Sequence, residues 1–178
     1  MAYRALLLDR DGVVNIDHGY VGARDRFTFV DGIFDLARFA ADRGFRIAVI
    51  TNQSGIARGY FTESAFLELS GWMCGEFRSR GIDIAGVFHC PYHPDARVPG
   101  YARDSFWRKP NPGMILEAAR RLDLDLERSV FLGDQPTDME AARAAGVGRR
   151  ALLSESGGSG GAATLTVERP ADLRPYLL

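Results

Sequence analysis

Apolar and polar positions fall along the chain in blocks of two kinds. Short, almost unbroken apolar runs at 4–9, 45–52, 84–90 and 129–134 are separated by longer stretches in which apolar residues recur every three or four positions. The short runs read as strands buried on both faces, and the longer period reads as amphipathic helix. In "VDGIFDLARFAADRG" (30–44), Ile33, Leu36, Ala37, Ala40 and Ala41 share one face, and Gly44 supplies a C-terminal stop. Helices are likewise expected over 62–81, over 111–125, with Pro112 in the first turn, and over 136–146. Further strands are expected at 149–154 and 164–167, joined through a glycine- and serine-rich loop (154–163), with a closing turn or helix from 170. Strand and helix in regular alternation predict an α/β fold, a Rossmann-like, doubly wound and mostly parallel sheet with helices on both faces. At 178 residues the chain is expected to form one domain, 1–178, with a core that needs no staples.

Sheets of this kind bind ligands beyond the carboxyl ends of their strands. The polar residues that directly follow apolar runs are Asp9 and Asp11, Thr51 and Asn52, and Gly133 and Asp134. Two neighbouring carboxylates resist joint ionisation unless a cation or hydrogen bonds compensate. With Asp134 they offer three hard oxygen ligands, a set that suits Mg²⁺. Lys109, in "RKPNPG" before a helix, can neutralise a phosphate, and "TNQSG" offers a hydroxyl, an amide and backbone N–H groups. A carboxylate nucleophile, a cation, a hydroxyl and a lysine equip a site for phosphoryl transfer through an aspartyl-phosphate. The net charge of −1 gives no electrostatic ground for a nucleic-acid or anionic-membrane partner. No apolar run is long enough to span a bilayer, and the first residues lack the succession of a signal peptide. Two cysteines, Cys74 and Cys90, make no disulfide framework, so a reduced, cytoplasmic setting is expected.

In order along the chain, "DRDGVVN", "TNQSG", "RKPNPG" and "GDQPTD" resemble the four motifs of the haloacid dehalogenase (HAD) superfamily of phosphatases, over residues 4 to about 150. More finely, "DRDGVVNIDHGYV" (9–21), "TNQSGIARGYF" (51–61) and "CPYHP" ahead of "RKPNPGM" resemble the D-glycero-D-manno-heptose-1,7-bisphosphate 7-phosphatase family. The resemblance implies a capless HAD-type monomer that uses Mg²⁺ to remove the C7 phosphate of a heptose 1,7-bisphosphate, in nucleotide-activated heptose biosynthesis. It makes Asp9 the nucleophile and Asp11 the general acid and then base. Thr51 and Lys109 become phosphoryl contacts, and Asp9, Asp134 and the backbone carbonyl of Asp11 the Mg²⁺ ligands, with Asp138 in support. It lines the phosphosugar pocket with Asp17, His18, Gly19, Tyr20, Asn52, Gln53 and Ser54, and gives Arg108 the sugar or its second phosphate. Histidinol-phosphate phosphatases share much of this pattern, but a cationic amine calls for acidic recognition residues. A non-catalytic phosphosugar-binding protein is the other alternative, against which the full set of Asp9, Asp11, Lys109 and Asp134 speaks. The missing basic stripe argues against a nucleic-acid 3′-phosphatase.

The sequence departs from the pattern of these relatives in two places. Many carry a structural zinc in the loop before Arg-Lys-Pro. Here Cys90 stands alone, with Tyr92, Ser105 and Trp107 at the other ligand positions and His93 one residue late. No structural zinc is expected, and packing of Tyr92, Tyr101 and Trp107 is expected in its place. Gln135 stands where many relatives have lysine. Arg58 reads equally as a phosphate contact or a solvated loop residue. His89 and His93 read as strand-end and loop residues rather than ligands. Cys74, beside Trp72, Met73 and Phe77, reads as core, and Arg120, Arg121, Arg149 and Arg150 as solvated faces.

Overall fold

The computed structural model describes residues 2–157 and 161–178. Six strands, β1 (Ala5–Leu8), β2 (Arg46–Asn52), β3 (Ile84–Cys90), β4 (Val130–Gly133), β5 (Arg149–Leu153) and β6 (Leu165–Val167), form one sheet in the order β3-β2-β1-β4-β5-β6. Every pairing is parallel. The helices are α1 (Ile33–Ala41), α2 (Ser54–Ala57), α3 (Glu63–Arg78), α4 (Gly113–Leu122) and α5 (Pro136–Ala144), with 3₁₀ turns at Arg24–Arg26 and Pro170–Tyr176. None is long and apolar enough to cross a membrane.

Side chains alternate across a strand, so each central strand feeds two cores. Leu6 and Leu8 of β1, Ile47 and Val49 of β2, and Val130 and Leu132 of β4 pack with α1, α3 and the C-terminal turn. Ala5 and Leu7, Ala48 and Ile50, and Phe131 pack on the other face with α4 and α5. Both faces are covered, which is why these strands read as unbroken apolar runs rather than alternating ones. Cys74 packs at the edge of the first core, and Cys90 is buried in the second.

The elements stand where the pattern predicts them, with shorter helices. α1 starts at Ile33 because Gly32 takes a left-handed conformation (φ 78°) that a helix cannot continue through. α2 and the turn Arg24–Arg26 are too short for a periodicity to reveal. Of the expected loop 154–163, Gly158, Ser159 and Gly160 lie outside the described residues. Arg150 is not the solvated face expected of it: its guanidinium is half-buried and donates to the carbonyls of Ala162 and Val147.

The strand order runs outward in both directions from β1 and β4. The crevice where it reverses lies at their carboxyl ends, the place where doubly wound sheets bind ligands. The Asp9 N–H donates to the Leu132 carbonyl at 3.0 Å and so fixes the end of β1 against β4. The connections 9–32 and 91–112 border this crevice as loops, with no separate cap among the described residues.

Candidate active site

The site is built from four strand ends and loops that converge at the crevice. β1 delivers Asp9, β2 delivers Thr51 and Asn52, β4 delivers Asp134, and the loop before α4 delivers Lys109. Asp9 and Lys109 are almost fully buried. Lys109 Nζ donates to Asp9 Oδ1 (2.8 Å) and the Ile50 carbonyl (2.9 Å), and pairs with Asp138 Oδ1 (2.7 Å). Its three N–H bonds are therefore all used. Burial alone would lower its pKa, but the charges of Asp138 and Asp9 outweigh that and hold it protonated well above the usual lysine value. The other Asp138 oxygen accepts the backbone N–H groups of Asp134 (3.1 Å) and Gln135 (3.0 Å). Asp138 thus fixes both the lysine and the turn that carries Asp134.

Asp9 Oδ1 also accepts the Arg10 N–H (2.8 Å). Oδ2 has no such partner and faces a cavity of about 180 Å³ lined by Asp11, Asn52, Lys109, Asp134 and Thr137. Burial, and then the charge of Asp138, push the Asp9 carboxyl well above its usual range, against the pull of Lys109. Asp134 is raised as well, chiefly by burial. Three carboxylates, Asp9, Asp134 and Asp138, bring oxygens within 4.8 Å of one another against one ammonium. Asp134 Oδ1 is buried with no hydrogen-bond partner, whereas Oδ2 accepts Gln135 Nε2 at 3.0 Å. An orphaned buried carboxylate oxygen beside a second free one, in a cluster with excess negative charge, fits a hard divalent cation. Asp9 and Asp134 have the free oxygens to hold it, because both Asp138 oxygens are engaged. The Asp11 carboxylate lies outside this cluster, so its place at an ion would be through the main-chain carbonyl.

Asp11 is turned toward a different set. Its carboxylate accepts Arg10 Nη2 (2.7 and 3.0 Å), Asn15 Nδ2 (3.0 Å) and Gln53 Nε2 (3.0 Å). Gln53 also donates to Thr51 Oγ1 (2.8 Å), so one amide ties Asp11 to Thr51. The hydroxyl proton of Thr51 reaches only the Asn52 carbonyl, at 3.5 Å, and is free for a stronger acceptor. Arg10 is a residue that sequence reasoning passed over. It is buried, donates to the Val21 carbonyl as well as Asp11, and lies over the rings of Phe27 and Phe66. The available signal is an arginine set between the two acids that follow a fully apolar strand.

A second cavity of about 380 Å³ adjoins the first, lined by Asp17, Gly19, Tyr20, Asn52, Gln53 and Ser54. Gly19 N–H donates to Asp17 Oδ1, and Tyr20 takes φ 50° and packs at a tilt against Tyr60 (ring centroids 4.6 Å apart), so 17–20 is a tight turn that places Tyr20 at the cavity. One of the sequence-derived positions differs and another gains a second contact. The His18 ring is exposed and lines neither cavity; the turn directs it to solvent and leaves its carbonyl accepting Arg26. Asn52 borders both cavities, but its amide is bonded at both ends to the Lys109 main chain (3.0 and 3.1 Å), which makes it a clamp on the lysine. Arg108 is half-buried beside this wall, with Nη1 lacking any partner. In the loop 91–108, Tyr92 and Tyr101 pack together (6.0 Å), whereas Trp107 stays 38 % exposed. The loop is also tied by polar contacts: Tyr101 donates to Glu63 at the start of α3, whose other oxygen meets His89 Nε2 at 2.6 Å.

Comparison with known proteins gives a consistent set of relatives. A family model described as HAD-hydrolase-like matches residues 106–177. The chain is 47 % identical, over 99 % of its length and 95 % of the relative's, to the D-glycero-alpha-D-manno-heptose-1,7-bisphosphate 7-phosphatase of Burkholderia mallei. It is 47 % identical, over 84 % of its length and 79 % of the relative's, to the D-glycero-beta-D-manno-heptose-1,7-bisphosphate 7-phosphatase of Yersinia pestis. Among solved structures it is similar to the D,D-heptose 1,7-bisphosphate phosphatase of B. bronchiseptica complexed with magnesium and phosphate. That likeness has a TM-score of 0.84 at 30 % identity, over 98 % of this chain and 97 % of the other.

Proposed function

The chain belongs to the heptose-1,7-bisphosphate 7-phosphatase family of HAD-like hydrolases, and from that premise we propose that it hydrolyses the C7 phosphate of D-glycero-D-manno-heptose 1,7-bisphosphate, with Mg²⁺, through a phosphorylated Asp9. The observation that carries this reading is the free, cavity-facing oxygen of a buried carboxylate whose other oxygen is held by a protonated lysine. Residues 1–178 act as one unit, and the relative crystallised with magnesium and phosphate supports the choice of ion.

In this mechanism Asp9 Oδ2 attacks phosphorus while Lys109 keeps Oδ1 turned away and ionised. Asp11 gives its proton to the departing sugar oxygen, which completes the first half-reaction as the P–O bond to the sugar breaks. Doing so requires Asp11 to carry a proton and leave Arg10, to which it is bonded in this arrangement. Thr51 donates its hydroxyl to a phosphoryl oxygen, with Gln53 holding it in place. Asp11 then takes a proton from water, the water oxygen bonds to phosphorus, the P–O bond to Asp9 breaks, and inorganic phosphate leaves. Mg²⁺ bound by Asp9, Asp134 and the Asp11 carbonyl supplies charge neutralisation for the carboxylates and the phosphoryl group. No structural zinc belongs to this reading. Cys90 faces Tyr92 and Ser105, and the positive charges of Arg103 and Arg108 act on it, surroundings that disfavour a cation. Metal analysis of the purified protein is expected to give no stoichiometric zinc.

The test of function is phosphate release with Mg²⁺, comparing kcat/KM for both anomers of the heptose bisphosphate with histidinol phosphate and fructose 1,6-bisphosphate. A clear preference for one heptose bisphosphate anomer is expected. Preference for histidinol phosphate, or no release from any of them by folded protein, overturns the proposal.

A further inference from the structure

The turn 17–22 and the start of α2 form one wall of the larger cavity, and this wall is two residues thick. Its inner face is Tyr20 and Gly55, which line the substrate side. Its outer face is Tyr60 and Phe61, which follow α2 and line neither site cavity. Each outer ring is laid against an inner residue. The Tyr60 and Tyr20 rings lie 4.6 Å apart at 50°. A Cβ at Gly55 would lie 2.5 Å from the Phe61 ring, and one at Gly22 would lie 2.4 Å from it, so the ring rests on bare backbone at both places. Phe61 thereby joins the turn to α2.

Behind the outer face lies a third cavity, of about 480 Å³ against about 380 Å³ for the substrate cavity. Tyr60 and Phe61 line it together with Ile56, Glu63, Val98 and Tyr101. The loop 91–108 closes it. The Ala57 carbonyl accepts the Val98 N–H (3.0 Å), and Glu63 accepts the Tyr101 hydroxyl (3.0 Å). Both Glu63 oxygens are engaged, by Tyr101 and by His89, so the surface this cavity offers is largely aliphatic and aromatic.

We propose that Phe61, with Tyr60, is a specificity-determining partition that keeps the substrate cavity short. It admits a compact polar phosphosugar and shuts off the larger apolar space behind. This rests on the phosphosugar reading above. A polar sugar gains nothing from an apolar space, and slack behind it would let the reacting phosphate drift from Asp9. Removing the ring joins the two cavities and gives the site room and apolar surface for an aryl group. Neither side chain touches the reacting groups, so the partition acts on fit and not on the chemical step.

Two measurements test it. The first compares kcat/KM on heptose 1,7-bisphosphate and on 2-naphthyl phosphate for the wild type, Phe61→Ala, Phe61→Leu and Tyr60→Ala. Phe61→Ala is expected to gain about tenfold or more on the naphthyl ester and to lose about tenfold on the heptose ester, through KM. Phe61→Leu, which keeps much of the volume, is expected to stay near the wild type on both. Absence of a gain on the naphthyl ester overturns the partition, whatever happens to the heptose ester. Tyr60, 54 % exposed, carries the same comparison if Phe61→Ala does not fold. The second titrates 2-naphthyl phosphate calorimetrically, with Mg²⁺ present, into Asp9→Asn and into Asp9→Asn combined with Phe61→Ala. About tenfold tighter binding in the double variant supports the partition even if the wild type turns over no heptose ester. Equal or weaker binding overturns the partition and leaves the function of Asp9 untouched.

Discussion

At Gly12 the backbone takes φ +87°, and a Cβ there would lie 2.2 Å from Asp134 Oδ2. Gly133 is closed in the same way, 2.5 Å from Asp138. The carboxylates sit this close because these two residues have no side chains. Gly12→Ala is expected to cost about 1–3 kcal/mol of stability and to weaken Mg²⁺ binding, as measured by denaturant unfolding and calorimetric titration. Asp9→Asn removes the nucleophile, and turnover is expected to fall by about 10³-fold or more. It also removes one of three crowded acids, so the metal-free variant is expected to melt above the metal-free wild type. A lower melting point would show that the Lys109 pair dominates the cluster. Asp11→Asn is expected to lower kcat by about 10²–10⁴-fold. The acids, Thr51 and Lys109 are legible in the sequence because each follows an apolar run or sits in a motif. The roles of Gln53 and Asn52 as tethers are not, since an amide reads the same whether it meets substrate or its own chain.

At the scale of elements, helix starts govern what the site can hold. α5 begins beside Asp134, and Asp138 in its first turn bonds the backbone N–H groups of Asp134 and Gln135. A carboxylate in a first turn satisfies donors that the helix leaves open, and here the same side chain also grips Lys109. α3 begins with Thr62, whose Oγ1 accepts the Ala65 N–H at 3.1 Å. Thr62→Ala is expected to cost about 1 kcal/mol, seen as a lower melting temperature with kcat little changed, because Thr62 touches none of the reacting groups. α3 also carries Glu63, the acceptor for both Tyr101 and His89. That link is invisible in the sequence: it joins residues from a helix, a strand and a loop that share no periodicity.

For the whole molecule, the consequence is a stability that depends on both pH and metal. Asp9 and Asp134 have carboxyl pKa values raised above the ordinary 3.8 in the folded state. Between 3.8 and those raised values the folded protein binds more protons than the unfolded chain, so stability falls as pH rises through that window. Lys109, whose pKa is also raised, acts with the same sign, but its contribution is lost only as pH rises through its own raised value, far above this window. Thermal unfolding of metal-free protein is therefore expected to show a lower melting temperature at pH 8 than at pH 5. Mg²⁺ at a hundred times its Kd at pH 8 adds about 2.7 kcal/mol there, and the same concentration is expected to add less at pH 5, where protons compete for Asp9 and Asp134. A Mg²⁺ effect independent of pH would count against Asp9 and Asp134 as the ligands.

The sequence alone determined the layers, the strand-end acids and the order of the motifs. These follow from local rules: a doubly buried strand must be apolar throughout, and polar residues at its carboxyl end face the crevice. Tertiary structure decided what those residues do to one another. Tertiary packing brings Asp9, Asp134 and Asp138 within 4.8 Å, turns Asp11 toward buried Arg10, and sets His93 Nε2 3.5 Å from Arg58 Nη2. Charge interactions depend on distance and burial, and a linear sequence specifies neither.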